Sequence, residues 1–253
     1  MIKAAVENAV RKFFNARGFQ IVRFAASFSD EERAMLEYVA DYTGQGPERL
    51  IGLMNSVRYI VENRIPGDFI ECGVWRGGSM MLAAKVLMRL GDTSRHLYLY
   101  DTYEGMTAPT DNDVMFDGKS AREILDNSDK NAADDAGWCI ASLEDVRANM
   151  ESTGYPKDKV HFIKGPVEKT IPQPEPKQVA LLRLDTDWYE STAHELKHLY
   201  SRLMPRGVLI VDDYGHWQGA RKAVDEFFSR ETFKPLLQRL DYTGRLAIKP
   251  ENL

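Results

Sequence analysis

Cysteine is scarce in this chain: two residues in 253, Cys72 and Cys139. Two cysteines make neither a disulfide framework nor a zinc-ligand spacing, and they fit a reducing, cytoplasmic setting. An excess of positive charge is also lacking. The 33 Lys+Arg are outnumbered by 38 Asp+Glu, which argues against a basic face for nucleic acid. Long hydrophobic runs are missing too. Gly207 to Val211 is strand-sized, far short of the ~20 residues of a spanning helix. No internal repeat and no low-complexity tract is present. At 43% hydrophobic, 10% aromatic and 28% charged residues, the composition excludes a wholly disordered chain and allows a substantial core.

The first 65 residues read as helical. Lys3, Glu7, Asn8, Arg11 and Lys12 interrupt any signal-peptide core, whereas Ile2, Val6, Ala9, Val10 and Phe13 share the face of an amphipathic helix. Such a face is expected to pack on the main domain or on a second subunit, so a homo-oligomer is expected. Ser29 and Glu32 have capping-box spacing and predict a helix to about Tyr42. Pro47 opens another, with Leu50, Met54, Val57 and Val61 on one face. Pro66 and Gly67 end it, placing a boundary between a helical segment 1–65 and a domain 66–253.

Beyond that boundary short apolar runs alternate with helical stretches. Strands are predicted at 68–73, 96–101, 160–165, 179–185 and 207–213, with helices at about 78–90, 140–151, 190–203 and 217–229. That rhythm implies a doubly wound α/β fold with a mainly parallel sheet. Residues 235–240 and 245–249 leave no room for a helix between them and predict a terminal antiparallel hairpin. Residues 102–138, rich in Asp, Asn and Gly, are too long for an ordinary connection and read as an active-site loop or lid.

Two clusters carry chemistry. Glu71, Gly73, Trp75, Gly77, Gly78 and Ser79 lie between a strand and a helix, without the G-x-G-x-x-G spacing. A carboxylate beside that turn suits a cationic cofactor better than a pyrophosphate. Asp101, ending the next strand, stands where an acid accepts hydrogen bonds from a ribose diol. The second cluster is Asp185 and Asp187 after one strand and Asp212 and Asp213 after another. Carboxylates crowded at one sheet edge repel unless a cation lies between them, and oxygen ligands suit Mg²⁺, Ca²⁺ or Mn²⁺. Helix capping by Asp187 and Asp213 is the plain alternative. His194 to His198 spells H-E-x-x-H, but helical periodicity turns both histidines to solvent, away from a zinc-binding cleft. His96 and His161, inside strands, read as packed rather than functional. His216 and Trp217 either line a substrate pocket or start a helix.

The stretches GDFIECGVWRGGSM, YDTYEGM, LLRLDTDWYEST and GVLIVDDYG together resemble the macrocin O-methyltransferase family, over about residues 45–250. The resemblance implies a class I methyltransferase: a Rossmann-like, doubly wound seven-stranded sheet with a C-terminal antiparallel hairpin and an N-terminal helical lid. It implies S-adenosylmethionine held by Glu71, Gly73, Trp75, Gly77, Ser79 and Asp101. It implies Mg²⁺ (or Mn²⁺) on Asp185, Asp212 and Asp213, with Asp185 the general base and Asp187 its competitor. The helical lid would bring Met54 and its neighbours near the substrate. The acceptor implied is a sugar hydroxyl of a glycosylated natural product or a nucleotide sugar. Catechol-type relatives have Asn where Asp213 stands and a Lys base where Trp188 stands. A catechol or phenol methyltransferase, or a non-catalytic cofactor-binding scaffold, are the rival readings.

Overall fold

The computed structural model describes residues 10, 12–14, 28–129, 138–172 and 176–251. Most of the expected amphipathic helix over residues 1–19 lies outside them. The chain forms two compact units, Met1–Ala34 and Met35–Leu253. In the first unit the capping box forms as expected: the Ser29 backbone N–H donates to Glu32 at 2.9 Å, and the Glu32 N–H donates to the Ser29 hydroxyl at 3.2 Å. It opens helix α1 (Asp30–Val39).

The second unit is built on strands β1 (Asp68–Cys72), β2 (Leu97–Asp101), β3 (Val160–Lys164), β4 (Val179–Leu184), β5 (Leu203–Val211), β6 (Gln238–Arg239) and β7 (Arg245–Ile248). They form one sheet in the order β3-β2-β1-β4-β5-β7-β6. The first five are parallel, and β7 runs antiparallel to both β5 and β6. The central runs Phe69 to Cys72 and Val179 to Leu184 are buried throughout, as strands covered on both faces must be. The predicted strand at 235–240 shortens to Gln238–Arg239. As the exposed edge it pairs over only two residues, and Leu236 stays 80% exposed. Strand β5 begins earlier than expected, at Leu203, and passes Arg206 in a left-handed conformation (φ 65°).

Helices α2 (Pro47–Glu62), α3 (Gly78–Arg89), α4 (Ala121–Asp126), α5 (Leu143–Ser152), α6 (Val167–Thr170), α7 (Tyr189–Leu199) and α8 (Gln218–Arg230) fill the connections. Helix α2 packs on α3, β4 and β5 through buried Leu50, Leu53, Met54, Val57 and Ile60. It therefore belongs to the sheet's own unit, Met35–Leu253. The described part of 102–138 is not bare loop. Ala121 and Leu125 of α4 pack with Trp188, Trp217 and Ala220. Buried Asp113 takes the backbone N–H of Tyr189 at 2.7 Å, holding the segment against the start of α7.

Candidate active site

The parallel strands end on one edge of the sheet, where a crevice opens between β1 and its neighbours. Gly73 follows β1 with φ 79°, and a Cβ there would meet the Asp185 carbonyl oxygen at 2.0 Å. Only glycine lets the turns after β1 and β4 approach so closely. Trp75 (φ 45°) and Gly77 (φ 88°) continue the turn into α3. Asp101 fixes this turn from β2. One of its oxygens accepts the N–H groups of Val74 (2.7 Å) and Trp75 (3.2 Å), and the other accepts that of Tyr103 (2.7 Å). Burial pushes its carboxyl above the ordinary range, against those bonds.

A cavity of about 280 Å³ occupies the crevice. Gly73, Trp75, Ser79 and Asp101 line it, together with Arg49, Asp185, Asp187 and Asp212. Of the sequence-predicted cofactor residues, Glu71 and Gly77 do not line it. Glu71 is 1% exposed and paired instead with Arg183, its in-register neighbour on β4, at 2.5 Å. Met54 is fully buried and does not line the cavity either.

Arg183 escaped sequence reasoning, and the signal was present: it is the one charged residue in the apolar run Val179 to Leu184. Its guanidinium, buried with a side-chain exposure of 2%, binds Glu71, Asp185 (2.6 Å) and Asp212 (2.5 Å). Arg49 of α2 closes on the other oxygen of Asp212 and on Asp241 (3.0 Å). Asp212 is thus matched by two arginines.

The other acids converge without such matching. One carboxylate oxygen each of Asp185, Asp187 and Asp213 lies within 4.8 Å of the others. The set that the structure brings together is therefore Asp185, Asp213 and Asp187, with Asp212 turned to the arginines. Neither Asp187 nor Asp213 caps a helix: α7 and α8 carry no cap from their own N-cap side chains, and Asp113 serves the start of α7. Asp187 adopts φ 69° and receives the indole N–H of Trp217 at 3.2 Å. Buried Asp213 Oδ2 has no protein partner. Burial, then repulsion from Asp187, Asp185 and Asp212, holds the Asp213 carboxyl well above the usual range. Burial likewise raises Asp185, against the pull of Arg183, and lifts Asp187 to about 6. Six acids, Glu71 and Asp241 included, surround two arginines, an excess of the kind a hard divalent cation offsets.

The H-E-x-x-H stretch makes no metal site. His194 and His198 are half-buried rather than turned to solvent, and His194 Nε2 lies 2.9 Å from the Ile171 carbonyl. Glu195 between them is fully buried and accepts the Thr186 hydroxyl at 2.9 Å. His161 of β3 and His96, the residue just before β2, stack on each other.

Residues 5–247 match the family model Macrocin-O-methyltransferase (TylF). A tetracenomycin rhamnosyl 4'-O-methyltransferase of Streptomyces olivaceus is 35% identical over 80% of this chain and 74% of its own length. The mycinamicin III 3''-O-methyltransferase of Micromonospora griseorubida is 31% identical over 87% and 84%. Among solved structures, the O-methyltransferase NovP is 29% identical with a TM-score of 0.70, covering 83% of each chain. Its seven-stranded fold, and a sequence match running from residue 5 to residue 247, make this chain a member of the macrocin O-methyltransferase family and an O-methyltransferase.

Proposed function

We propose that the protein transfers the methyl group of S-adenosylmethionine to a sugar hydroxyl of a glycosylated natural product, assisted by a divalent cation. The observation that carries this reading is a single cavity with a Gly-rich strand–helix turn and Asp101 on one side and the acids after β4 and β5 on the other. The names of two relatives, a rhamnosyl 4'-O-methyltransferase and a mycinamicin 3''-O-methyltransferase, supply the acceptor class.

Gly73, Trp75 and Ser79 would seat the cofactor, with Asp101 toward the ribose. Glu71 supports them from beneath through Arg183. Asp185, Asp187 and Asp213 would hold Mg²⁺ or Mn²⁺: their spacing, the unpartnered Asp213 oxygen and their raised proton affinities fit a hard cation. S-adenosylmethionine supplies an already activated methyl group, and the cation supplies the positive charge that favours ionisation of a sugar hydroxyl.

The protein's share is alignment and proton transfer. Holding oxygen, carbon and sulfur in line removes most of the entropic barrier. Asp185 and Asp187 both line the cavity, but one Asp185 oxygen is held by Arg183 at 2.6 Å. Asp187 receives the neutral Trp217 indole rather than a guanidinium, and it is the carboxylate we assign as the proton acceptor. A positioned carboxylate base contributes ~10²–10⁴-fold. Asp187→Asn and Asp185→Asn should each lower kcat by at least ~10²-fold while retaining affinity for S-adenosylhomocysteine, measured by calorimetry. An Asp187→Asn enzyme with wild-type kcat would remove it as the base. A phenolic acceptor turned over far faster than any sugar would favour the catechol-type rival.

A further inference from the structure

Three aromatic side chains from three separate parts of the fold meet at the surface beside the acids. Phe116 comes from the segment after β2, His216 from the turn after β5, and Tyr242 from the β6–β7 hairpin. Ring centroids lie 5.8 Å apart for Phe116–His216, 6.0 Å for His216–Tyr242 and 6.2 Å for Phe116–Tyr242. The His216 ring nitrogen and the Tyr242 hydroxyl are 3.0 Å apart, and the Phe116 N–H donates to the His216 carbonyl at 2.9 Å. The cluster is held in place, yet Phe116 is 60% and Tyr242 51% exposed. Burial pushes the His216 imidazole below its ordinary range, which favours its uncharged form.

The cluster connects to the chemistry through Trp217. Its ring lies 5.0 Å from that of His216, while its indole N–H donates to Asp187. Trp217 also walls a second cavity of about 540 Å³, shared with Phe116, His216, Arg221 and Lys222. The first cavity, at about 280 Å³, is small even for one ligand of ordinary size, and cofactor and acceptor must share it. Anything attached to the reacting sugar must therefore lie outside, and the aromatic trio adjoins the acid end. Its charge balance sorts the candidates. Arg221 and Lys222 are offset in the second cavity by Asp225 and Glu226, leaving no net positive charge for a diphosphate.

Resting on the reading of the protein as a sugar O-methyltransferase, we propose that Phe116, His216 and Tyr242 form the platform that receives the apolar aglycone of the acceptor. The substrate class is then an assembled glycoside with a polycyclic or macrocyclic body, in preference to a free nucleotide sugar. Ring faces stack on such a body, and the imidazole and phenol edges meet its oxygens.

The test compares acceptors and variants. Steady-state kinetics would use a rhamnosylated aromatic polyketide and its aglycone-free counterpart, methyl rhamnoside. Phe116→Ala and Tyr242→Ala should each raise KM for the polyketide glycoside about 3–10-fold and their double variant more, at ~0.5–1.5 kcal/mol per aromatic contact. KM for S-adenosylmethionine should not move. The preference for the polyketide glycoside over methyl rhamnoside should fall by the same factor. An active wild type whose variants keep both KM values overturns the platform alone. A wild type inactive on both sugars overturns the sugar reading and the platform with it. A wild-type dimer that the double variant abolishes, seen by sedimentation, would make the cluster a self-interface and overturn the proposal.

Discussion

Arg183 sets the electrostatics of the whole site. It lies fully buried on a central strand and touches Glu71, Asp185 and Asp212 at once. A buried cation with three anions retains its charge well, and burial of its partners then decides which of them ionise. Glu71 is pushed up to about 7 by burial, with Arg183 pulling the other way. Its folded value thus lies above its ordinary one, so the native state holds this proton over a range where the unfolded chain has released it. The contribution to stability is full below about 4.5 and is lost as pH rises toward 7. Glu71→Gln, which cannot titrate, should therefore gain on the wild type as pH rises from 4.5 to 7.5, read from urea midpoints. A gap that moves the other way would contradict the assignment. Individual roles were the least legible feature of the sequence. Asp101, Asp185 and Asp213 reach the edge foreseen for them, because strand ends are easy to read. Asp212 lines the cavity beside Asp185, and nothing in the local pattern shows that Arg49, far off in sequence, closes on it. Arg183 is hard to read because a charged residue inside an apolar run looks like noise until its cross-strand partner, Glu71, is known.

Elements were legible where one periodicity dominated. Five parallel strands, the helices after them and the closing hairpin fall within a few residues of their expected places. Each central strand is a short β-branched or leucine-rich run between turn residues. The segment 102–129 was legible only as an unusually long connection. Its structure depends on Asp113, an ordinary loop aspartate in sequence that becomes fully buried. It accepts the Thr110 N–H (2.6 Å) and hydroxyl (2.9 Å) on one oxygen and the Tyr189 N–H on the other. It therefore caps α7 from outside, tying the helix that follows Asp185 and Asp187 to the segment that carries Phe116. Loss of a helix cap costs ~1 kcal/mol, up to ~2 in a well-formed site. Asp113→Ala should destabilise the fold by about that amount and should also raise KM for the acceptor, because both the aspartate turn and the aromatic platform lose their common anchor. Thermal unfolding with acceptor kinetics checks this. A variant that loses stability with an unchanged acceptor KM would confine Asp113 to capping.

At the scale of the whole molecule, the sheet places two demands at one edge. Beside β1 the backbone must come close to the turn after β4, which Gly73 allows. Beside β4 and β5 acids must accumulate, which Arg183 and Arg49 only partly offset. Those acids are costly in a protein with no cation to bind, and their accumulation is the strongest single argument for metal-assisted methyl transfer here. The direct measurement is methyl transfer from labelled S-adenosylmethionine to a rhamnosylated polyketide. It would be run on protein stripped with a strong chelator, then after adding back Mg²⁺ or Mn²⁺. The account predicts that turnover falls to background in chelator and returns with either ion. Wild-type turnover in the continued presence of chelator would contradict it.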